Sequence, residues 1–288
     1  MELADQHGML YLTEGPLSEV VSHYYHLFNS DNQPMIKHLA PNLEIMMIFN
    51  FGPVIRISFG NEPLELAVDK GGVVIGPLKK MLNYELQRGA DAIVVHFKLN
   101  GFYRLFKIPV HDLDSGKLYQ ADVLTDQSTY QELYKQLTGI VDLKARLSLI
   151  SNFVMNFISA NDDAVQALLQ GERYFYKPAV QPAKAIAADN RLTARTIQLR
   201  FQKYTGYSPK ELLRFLRFKT VIDHLMQQKG QSIDIFAVIL TFGYHDQSHL
   251  IKDFQHYLGT TPQQFLRQLK DNEFHLTGHG PKSDEQIS

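Results

Sequence analysis

A nine-residue pattern occurs twice near the carboxyl end of this chain of 288 residues. Residues 201–209 are FQKYTGYSP and residues 254–262, 53 positions later, are FQHYLGTTP, so both fit F-Q-x-Y-x-G-x-[ST]-P. In each copy an apolar helical face precedes a glycine that can take the left-handed conformation, and a Ser/Thr-Pro helix start follows. The sequence therefore predicts two copies of one small helical unit.

The two copies also agree upstream of this pattern. Thr193 and Asp246 are placed to cap the two helices, and Ile197 and Leu250 supply an apolar position one turn before the repeated phenylalanine. The positions between these anchors differ. A shared buried frame with divergent exposed positions is what two reading elements for two different DNA segments require.

A long helix is predicted between the copies, from Pro209 to about Gln228. Its length of about 20 residues corresponds to about 30 Å at 1.5 Å per residue. One turn of B-DNA is about 34 Å, so such a helix can hold two recognition helices in successive major grooves.

Charge is distributed unevenly along the chain. Residues 172–271 contain 15 Lys and Arg against 8 Asp and Glu, whereas the remainder contains 14 against 22. Residues 190–219 alone hold 8 basic residues and one acid. This local field attracts phosphate, although a solvated helix face is the commoner origin of a charge cluster.

The first 125 residues are rich in short apolar or alternating runs separated by turn signals. Strands are predicted at 43–49, 54–59, 72–76 and 92–97, which at this spacing suggests a sandwich or barrel. Residues 17–28 fit either a strand or a helix. From about residue 126 the period becomes helical.

A 4-3-4-3 apolar stripe follows, comprising Leu143, Leu147, Ile150, Val154 and Phe157. It predicts a helix that either packs on its own domain or forms a dimer seam. The expected fold class is α+β multidomain. Its expected parts are a β-rich effector-binding domain (1–125), a helical connector (126–172), an all-α domain of two helix-turn-helix units with a long linker helix (173–270), and a polar tail (271–288).

The region from about 175 to 269 closely resembles the AraC/XylS family of bacterial transcription regulators. The resemblance is carried by ILTFGYHDQSHL at 239–250, by TGYSPK at 205–210, by RFLRF at 214–218, and by Lys252, Phe254, Gly259, Pro262 and Phe265. The first hundred or so residues resemble a β-rich sensor domain of uncharacterised type, at LAPN (39–42), VIGP (74–77) and FKLNG (97–101).

The resemblance implies which residues contact DNA. Those expected from the first unit and its surroundings are Arg195, Gln198, Leu199, Arg200, Lys203 and Lys210, and those from the second are Gln247, Ser248, His249 and Lys252. Arg bonds guanine, Gln bonds adenine, and Leu meets a thymine methyl. Two features depart from the family pattern: Leu199 stands where an arginine is frequent, and residues 230–258 hold one lysine against three aspartates.

Catalytic and metal sites are not expected. The His23-x-x-His26 pair lacks an evident third ligand, and His38, His96 and His111 offer no better arrangement. Cysteine is absent, which excludes disulfides and thiolate chemistry. We therefore expect no enzyme, no cofactor and no metal. The alternative is a small-molecule-binding or cupin-like enzymatic β-domain joined to a helical interaction module.

The expected function is that of a sequence-specific, effector-controlled transcription regulator of the AraC type, acting as activator or repressor. Its expected partners are double-stranded promoter DNA, a largely apolar effector, RNA polymerase and a second copy of the chain. Glu2 and Asp5 stand where a secretory signal would carry basic residues, and no apolar run approaches membrane-spanning length. The expected location is the bacterial cytoplasm, without membrane contact.

Overall fold

The computed structural model describes residues 2–5, 8–98, 100–124, 127–159, 163–176, 180–228 and 234–270. Strands predominate up to residue 120, and helices predominate after it. The strands are β1 (Glu2–Asp5), β2 (Gly8–Leu12), β3 (Val21–Phe28), β4 (Met35–Leu39), β5 (Ile45–Asn50), β6 (Ile55–Phe59), β7 (Leu66–Val68), β8 (Gly71–Ile75), β9 (Leu82–Leu86), β10 (Asp91–Phe97) and β11 (Leu118–Gln120). The helices are α1 (Gly101–Phe106), α2 (Ala121–Leu124), α3 (Gln127–Thr138), α4 (Leu143–Phe157), α5 (Asp163–Gln170), α6 (Pro182–Asp189), α7 (Ala194–Thr205), α8 (Pro209–Gln227), α9 (Ile235–Thr241), α10 (Gln247–Leu258) and α11 (Pro262–Lys270).

The strands form two antiparallel sheets. The larger sheet has the order β1-β2-β3-β10-β5-β8-β11, and the smaller has the order β4-β9-β6-β7. Side chains of a strand alternate between its two faces. In β10, Val94 packs towards the smaller sheet while Ile93 and Val95 pack towards the helices. The larger sheet is therefore buried on both faces, by the smaller sheet and by helices.

The predicted β-rich amino-terminal part is confirmed. The four predicted strands correspond to β5, β6, β8 and β10, with ends that differ by one or two residues. The ambiguous segment 17–28 contains the end of a 3-10 turn (Gly15–Glu19) followed by β3. Strands β4 and β9 escaped prediction because MIKHL and LNYEL mix polar with apolar residues and lack the β-branched runs that mark a strand.

Helix α4 covers the outer face of the larger sheet. Leu147, Ile150 and Val154 of the apolar stripe are buried there within the same chain. The Tyr24 hydroxyl lies 2.9 Å from Ser151 Oγ, and Arg146 Nη1 donates to Asp91 Oδ2 at 2.8 Å. The dimer seam proposed for this stripe is wrong, because the sheet needs the same side chains to exclude water from its second face.

The carboxyl-terminal part is helical, as predicted, and its helices begin and end where the repeat indicates. The Thr193 and Asp246 side chains accept from backbone N–H groups in the first turns of α7 and α10. Gly206 and Gly259 end these helices with φ values of 74° and 69°. Ser208 and Glu211 form a capping box at the start of α8. The predicted tail at 271–288 lies outside the described residues.

Loops of the two sheets contact the turn after α7. A Cβ atom built on Gly206 would lie 2.7 Å from Pro77 Cγ and 2.8 Å from Val110 Cγ1. The Tyr103 and Tyr204 rings meet edge to face with centroids 4.7 Å apart. These contacts attach the first repeated turn directly to the amino-terminal part.

The turn after α10 makes equivalent contacts. The Met81 backbone N–H donates to the Tyr257 carbonyl at 2.8 Å, and Asn61 Nδ2 donates to the Gly259 carbonyl at 2.9 Å. Lys79 bridges to the start of α8, with Nζ 3.3 Å from Glu211 Oε1. The repeated glycine turns are thus the places where the helical part is joined to the sheets.

We expect Gly206→Ala to lower the free energy of unfolding more than Gly243→Ala does. Both glycines have positive φ, at 74° and 66°, so both substitutions strain the backbone by about 1–2 kcal/mol. Only Gly206→Ala adds a clash with Pro77 and Val110, and this clash costs about 1–3 kcal/mol more. Urea denaturation of the two variants measures the difference, and equal losses would contradict this account of the joint.

Candidate DNA-binding surface and buried histidine cluster

Helix α7 presents a polar face to solvent. Ile197, Phe201 and Tyr204 are buried, while Arg195 and Gln198 on the opposite face are exposed. Leu199 retains 49% of its surface and is therefore also accessible. The structure therefore brings the three residues predicted to reach base edges onto one accessible face.

Helix α10 repeats this arrangement with different exposed residues. Leu250, Phe254 and Tyr257 face inward. All four residues predicted to contact DNA from this unit are exposed: Gln247, Ser248, His249 and Lys252. The Asp246 cap also lies 3.2 Å from His249 Nδ1, so that imidazole already has an acidic neighbour. The second face is accessible but much less cationic than the first.

The other predicted phosphate-binding residues differ in their surroundings. Lys210, the second residue of α8, is exposed, and Arg200 is half-buried. Lys203 Nζ lies 5.2 Å from the Tyr103 ring centroid and 5.1 Å from that of Tyr204. Contact with the Tyr103 hydroxyl raises the pKa of Lys203. The structure thus places Lys203 at the joint between the two parts of the chain.

A buried carboxylate ties α10 to the linker helix α8. Asp253 Oδ1 accepts from Arg214 Nε at 2.6 Å, and its Oδ2 accepts from the Tyr244 hydroxyl at 2.9 Å. Arg217 Nη2 lies 3.7 Å from the same carboxylate, and its guanidinium stacks 4.4 Å from the Tyr244 ring centroid. Burial raises the pKa of Tyr244, so the phenol stays protonated and donates.

Sequence reasoning missed this cluster. Arg214 and Arg217 were counted in the basic field expected to attract phosphate, but the structure gives them a carboxylate partner within the protein. A signal was present, because Asp253 adjoins Phe254 and lies three residues after Leu250, on the inward side of the helix. An acid at a buried helical position needs a cationic partner.

The interior between the two sheets is filled by side chains. The cavity found there has a volume of about 40 Å³. Its walls are mostly apolar, with two histidines at one end: His23, Tyr25, Leu27, Leu39, Met46, Ile48, Ile55, Ile57, Leu82, Tyr84, Val94 and His96. A site for a drug-sized molecule measures about 300–1,000 Å³. The packed core, rather than an enclosed organic effector, is the arrangement that this structure shows.

Three polar side chains converge beside this cavity. His23 on β3 and His96 on β10 are cross-strand partners, and Glu44 immediately precedes β5, the other neighbour of β10. The imidazole rings stack with centroids 4.1 Å apart. His96 Nδ1 lies 2.8 Å from Glu44 Oε2. The register of β10 with β3 shifts between His96 and Phe97, which marks a bulge beside the cluster.

The hydrogen bonds of the cluster determine the tautomer of His23. The Ser22 hydroxyl has one proton and two neighbours that can only accept, Glu44 Oε1 at 2.9 Å and the His96 carbonyl at 3.2 Å, so we assign it as the acceptor at its 2.9 Å contact with His23 Nδ1. The proton of His23 therefore lies on Nδ1, and Nε2 carries a lone pair. Among the described residues, His23 Nε2 is one of the buried side-chain atoms without a hydrogen-bond partner. Such an atom costs about 1–3 kcal/mol.

The electrostatic state of the cluster follows from its burial. Desolvation and the neighbouring His96 lower the pKa of His23 to about 3, so this imidazole is neutral. Burial alone would raise the pKa of Glu44, but the hydrogen bond from His96 and the nearby imidazoles outweigh it and lower the pKa below its ordinary value. The cluster therefore combines a neutral imidazole, which has a lone pair available, with an ionised carboxylate.

The structure separates the histidine pair considered from sequence. Because β3 is a strand, His23 and His26 point to opposite faces. His26 Nε2 lies 2.9 Å from Asp91 Oδ1. The partners of His23 instead come from residues 44 and 96, which sequence reasoning left apart. Each lies on the same strand face as residues that line the cavity, because residues two apart in a strand share a face: Glu44 precedes Met46 and Ile48, and His96 follows Val94.

None of the helices in the described part of the chain is both long and apolar enough to cross a membrane.

Two family models match the sequence. A model described as "Helix-turn-helix domain" matches residues 186–268, and one described as "Domain of unknown function (DUF6597)" matches residues 10–118. No curated protein matches the chain. The expectation of a DNA-binding helical part preceded by a β-rich domain of uncharacterised type is thereby confirmed.

Solved structures of ToxT from Vibrio cholerae are similar over most of the chain. One, determined at 1.65 Å, is 14% identical with a TM-score of 0.41, and the match covers 88% of this chain and 98% of that chain. Another, "unsaturated fatty acid bound wild-type ToxT", is 12% identical with a TM-score of 0.39 and coverages of 96% and 100%. The AraC-like transcriptional activator CuxR is 9% identical, with a TM-score of 0.27 and coverages of 74% and 80%.

We expect Asp253→Asn to lower the free energy of unfolding by about 1.5–3 kcal/mol, because it removes the charge from a buried acceptor of two short hydrogen bonds while keeping its volume. The matched variant Arg217→Met removes a half-exposed partner at 3.7 Å and should cost less than about 1 kcal/mol. Urea denaturation followed by circular dichroism measures both. An Asp253→Asn protein as stable as wild type would show that the carboxylate does not hold α10 to α8.

Proposed function

We propose that the chain is a DNA-binding transcription regulator of the AraC type in which α7 and α10 read two segments of promoter DNA. The observation that carries the proposal is the repeated frame: two capped helices bury matching apolar residues and expose different polar ones. Side chains on an exposed helical face can reach base edges in a major groove.

The linker helix supports simultaneous binding of two segments. Helix α8 has 19 residues, which corresponds to about 28 Å. Its first end follows α7 after the Gly206 turn, and Arg214 and Arg217 in its first half hold Asp253 of α10. A rigid connection of this length suits two helices in neighbouring turns of the major groove, about 34 Å apart.

The two units take different shares of the binding energy in this proposal. Arg195 and Gln198 contact base edges, Leu199 packs on a thymine methyl, and Lys210 and Arg200 bind phosphates. The second unit contributes hydrogen bonds from Gln247, Ser248 and His249 with one phosphate contact from Lys252. Lys203 acts mainly at the joint with Tyr103, so its contribution to phosphate binding is indirect.

Control of the regulator is part of the same proposal. The segment 76–81 contacts both repeated turns, so a ligand of the amino-terminal sheets changes DNA binding by moving this segment. The divisions at residues 125, 172 and 270 separate the controlling, connecting and DNA-binding parts. Promoter binding in the bacterial cytoplasm, by one chain or by a pair, and contact with RNA polymerase complete the proposed activity, in which the chain catalyses no reaction.

We expect Arg195→Ala and Gln198→Ala each to weaken binding to the specific promoter by about 1–3 kcal/mol, because each removes a base contact. Binding to random DNA of the same length should change much less. Both side chains are exposed, so the thermal unfolding midpoint should remain that of wild type. Fluorescence anisotropy with the two DNAs measures the difference. Equal losses on both would reassign the side chain to phosphate.

We expect Lys252→Ala to reduce the slope of log K against log salt concentration by about 1, since it removes one phosphate contact. The matched variant Lys219→Ala removes an exposed lysine of α8 to which no DNA contact is assigned, and should leave the slope unchanged. Titrations at several salt concentrations give the slopes. If the two variants behave alike, the proposed placement of α10 on DNA is wrong.

A further inference from the structure

The buried histidine cluster has the composition of a metal site. His23 lies on β3, His96 on β10 and Glu44 just before β5, and their potential ligand atoms all lie within 4.8 Å of one another. We propose that these three side chains bind one divalent transition-metal ion, such as Zn²⁺ or Fe²⁺, and that this ion is the ligand to which the regulator responds. The second half of the proposal rests on the proposed function.

The donor set selects the class of metal. Two imidazoles and one carboxylate suit Zn²⁺ or Fe²⁺, whereas Ca²⁺ and Mg²⁺ prefer oxygen ligands. Bonds of about 2.0–2.2 Å place the ligand atoms about 3–4 Å apart, so closing on an ion requires side-chain shifts of about 1 Å and rotation of the two stacked imidazoles until both lone pairs converge. Metal binding exchanges the hydrogen bond between His96 and Glu44 for bonds to the ion.

His23 already has the form that a ligand requires. Its Nε2 carries a lone pair, is buried, and has no hydrogen-bond partner among the residues that the structure describes. Its Nδ1–H donates to Ser22, which in turn donates to Glu44. An outer hydrogen bond on the second ring nitrogen is characteristic of metal-binding histidines, because it orients the ring and fixes the tautomer.

The size of the cavity decides between classes of ligand. A volume of about 40 Å³ is far below that required by an organic effector. It suffices for an ion with one or two water molecules, each of which needs about 10–15 Å³ on this measure. The surrounding walls are apolar, so the bound ion would be shielded from bulk solvent on the side of the cavity.

The cluster is connected to the joint with the helical part. The Glu44 carbonyl accepts from the Leu78 backbone N–H at 3.1 Å, in the middle of segment 76–81. Leu43, the residue before Glu44, packs into the core formed by the helices and has a φ of 64°. Movement of Glu44 onto an ion therefore acts on the two backbone positions that lead to the repeated turns.

The first test measures metal binding without DNA. The full-length chain, without an affinity tag and after treatment with a chelator, is titrated with Co²⁺ and then with Zn²⁺ in competition. We expect one equivalent of Co²⁺ with visible absorption bands that Zn²⁺ abolishes. His23→Gln and Glu44→Gln should weaken binding at least about 100-fold, and Ser22→Ala about 10-fold, because Ser22 only supports a ligand.

The exposed group of His245, Asp246 and His249 supplies the matched control, since its ligand atoms are equally close. The double variant His245→Ala/His249→Ala should still bind one equivalent of Co²⁺ as tightly as wild type does. The proposed metal site would be refuted if the wild-type chain showed no saturable metal binding below about 100 μM. It would also be refuted if the double variant lost the binding and His23→Gln retained it. If His23→Gln does not fold, Ser22→Ala and the zinc absorption-edge spectrum of wild type decide, with two histidine ligands expected.

The second test asks whether the ion controls DNA binding. DNA fragments that the chain retains from its host genome are titrated with protein containing or lacking Zn²⁺. We expect at least a fivefold change in affinity for wild type and none for Glu44→Gln. If protein that has bound Zn²⁺ and protein that lacks it had equal affinities for these fragments, the regulatory role would be refuted. Failure of both forms to prefer these fragments over random DNA would instead refute the proposed function, while the metal titration stands by itself.

Discussion

Two glycines with left-handed backbones set the arrangement of this molecule. Gly206 and Gly259 end the helices α7 and α10, and the turns that they form are also where the sheets are attached. One local conformation thus serves two purposes, because a residue with a Cβ atom would strain the turn and, at either position, collide with the amino-terminal part. The accessible faces of α7 and α10 follow from the same geometry, since the attachment lies at the helix end and leaves the polar face uncovered.

The helices hold their relative positions through a different kind of interaction. Asp253 is a buried acid whose charge is compensated by Arg214 and Arg217 of the linker helix, so α10 is tied to the first half of α8. A hydrophobic contact tolerates sliding, whereas a short charged hydrogen bond fixes direction as well as distance. This pairing withdraws two arginines from the basic stretch 190–219 and one aspartate from the acids of the second unit, so the contrast in charge between the two units is smaller than the sequence alone indicates.

Much of this architecture follows from local sequence rules. The strands β5, β6, β8 and β10 were predictable from apolar alternation, and the ends of α7, α8 and α10 from their caps and glycines, because these signals act over a few neighbouring residues. The three-residue group at positions 23, 44 and 96 was not predictable. Its members are far apart in sequence, and their proximity depends on sheet order β3-β10-β5, which no local pattern encodes. The burial of Arg214 and Arg217 beside Asp253 likewise required the packing of one helix on another.

Attachment at the carboxyl ends of α7 and α10 makes each helix a lever. Helix α10 has 12 residues and is about 18 Å long, and the residues that we propose contact DNA lie towards the opposite end from the Gly259 turn. A tilt of about 3° at the turn therefore displaces those residues by about 1 Å, which is enough to lengthen a good hydrogen bond beyond its useful range. Small adjustments among the strands are amplified in this way, so the proposed contacts with DNA can change without either helix being covered.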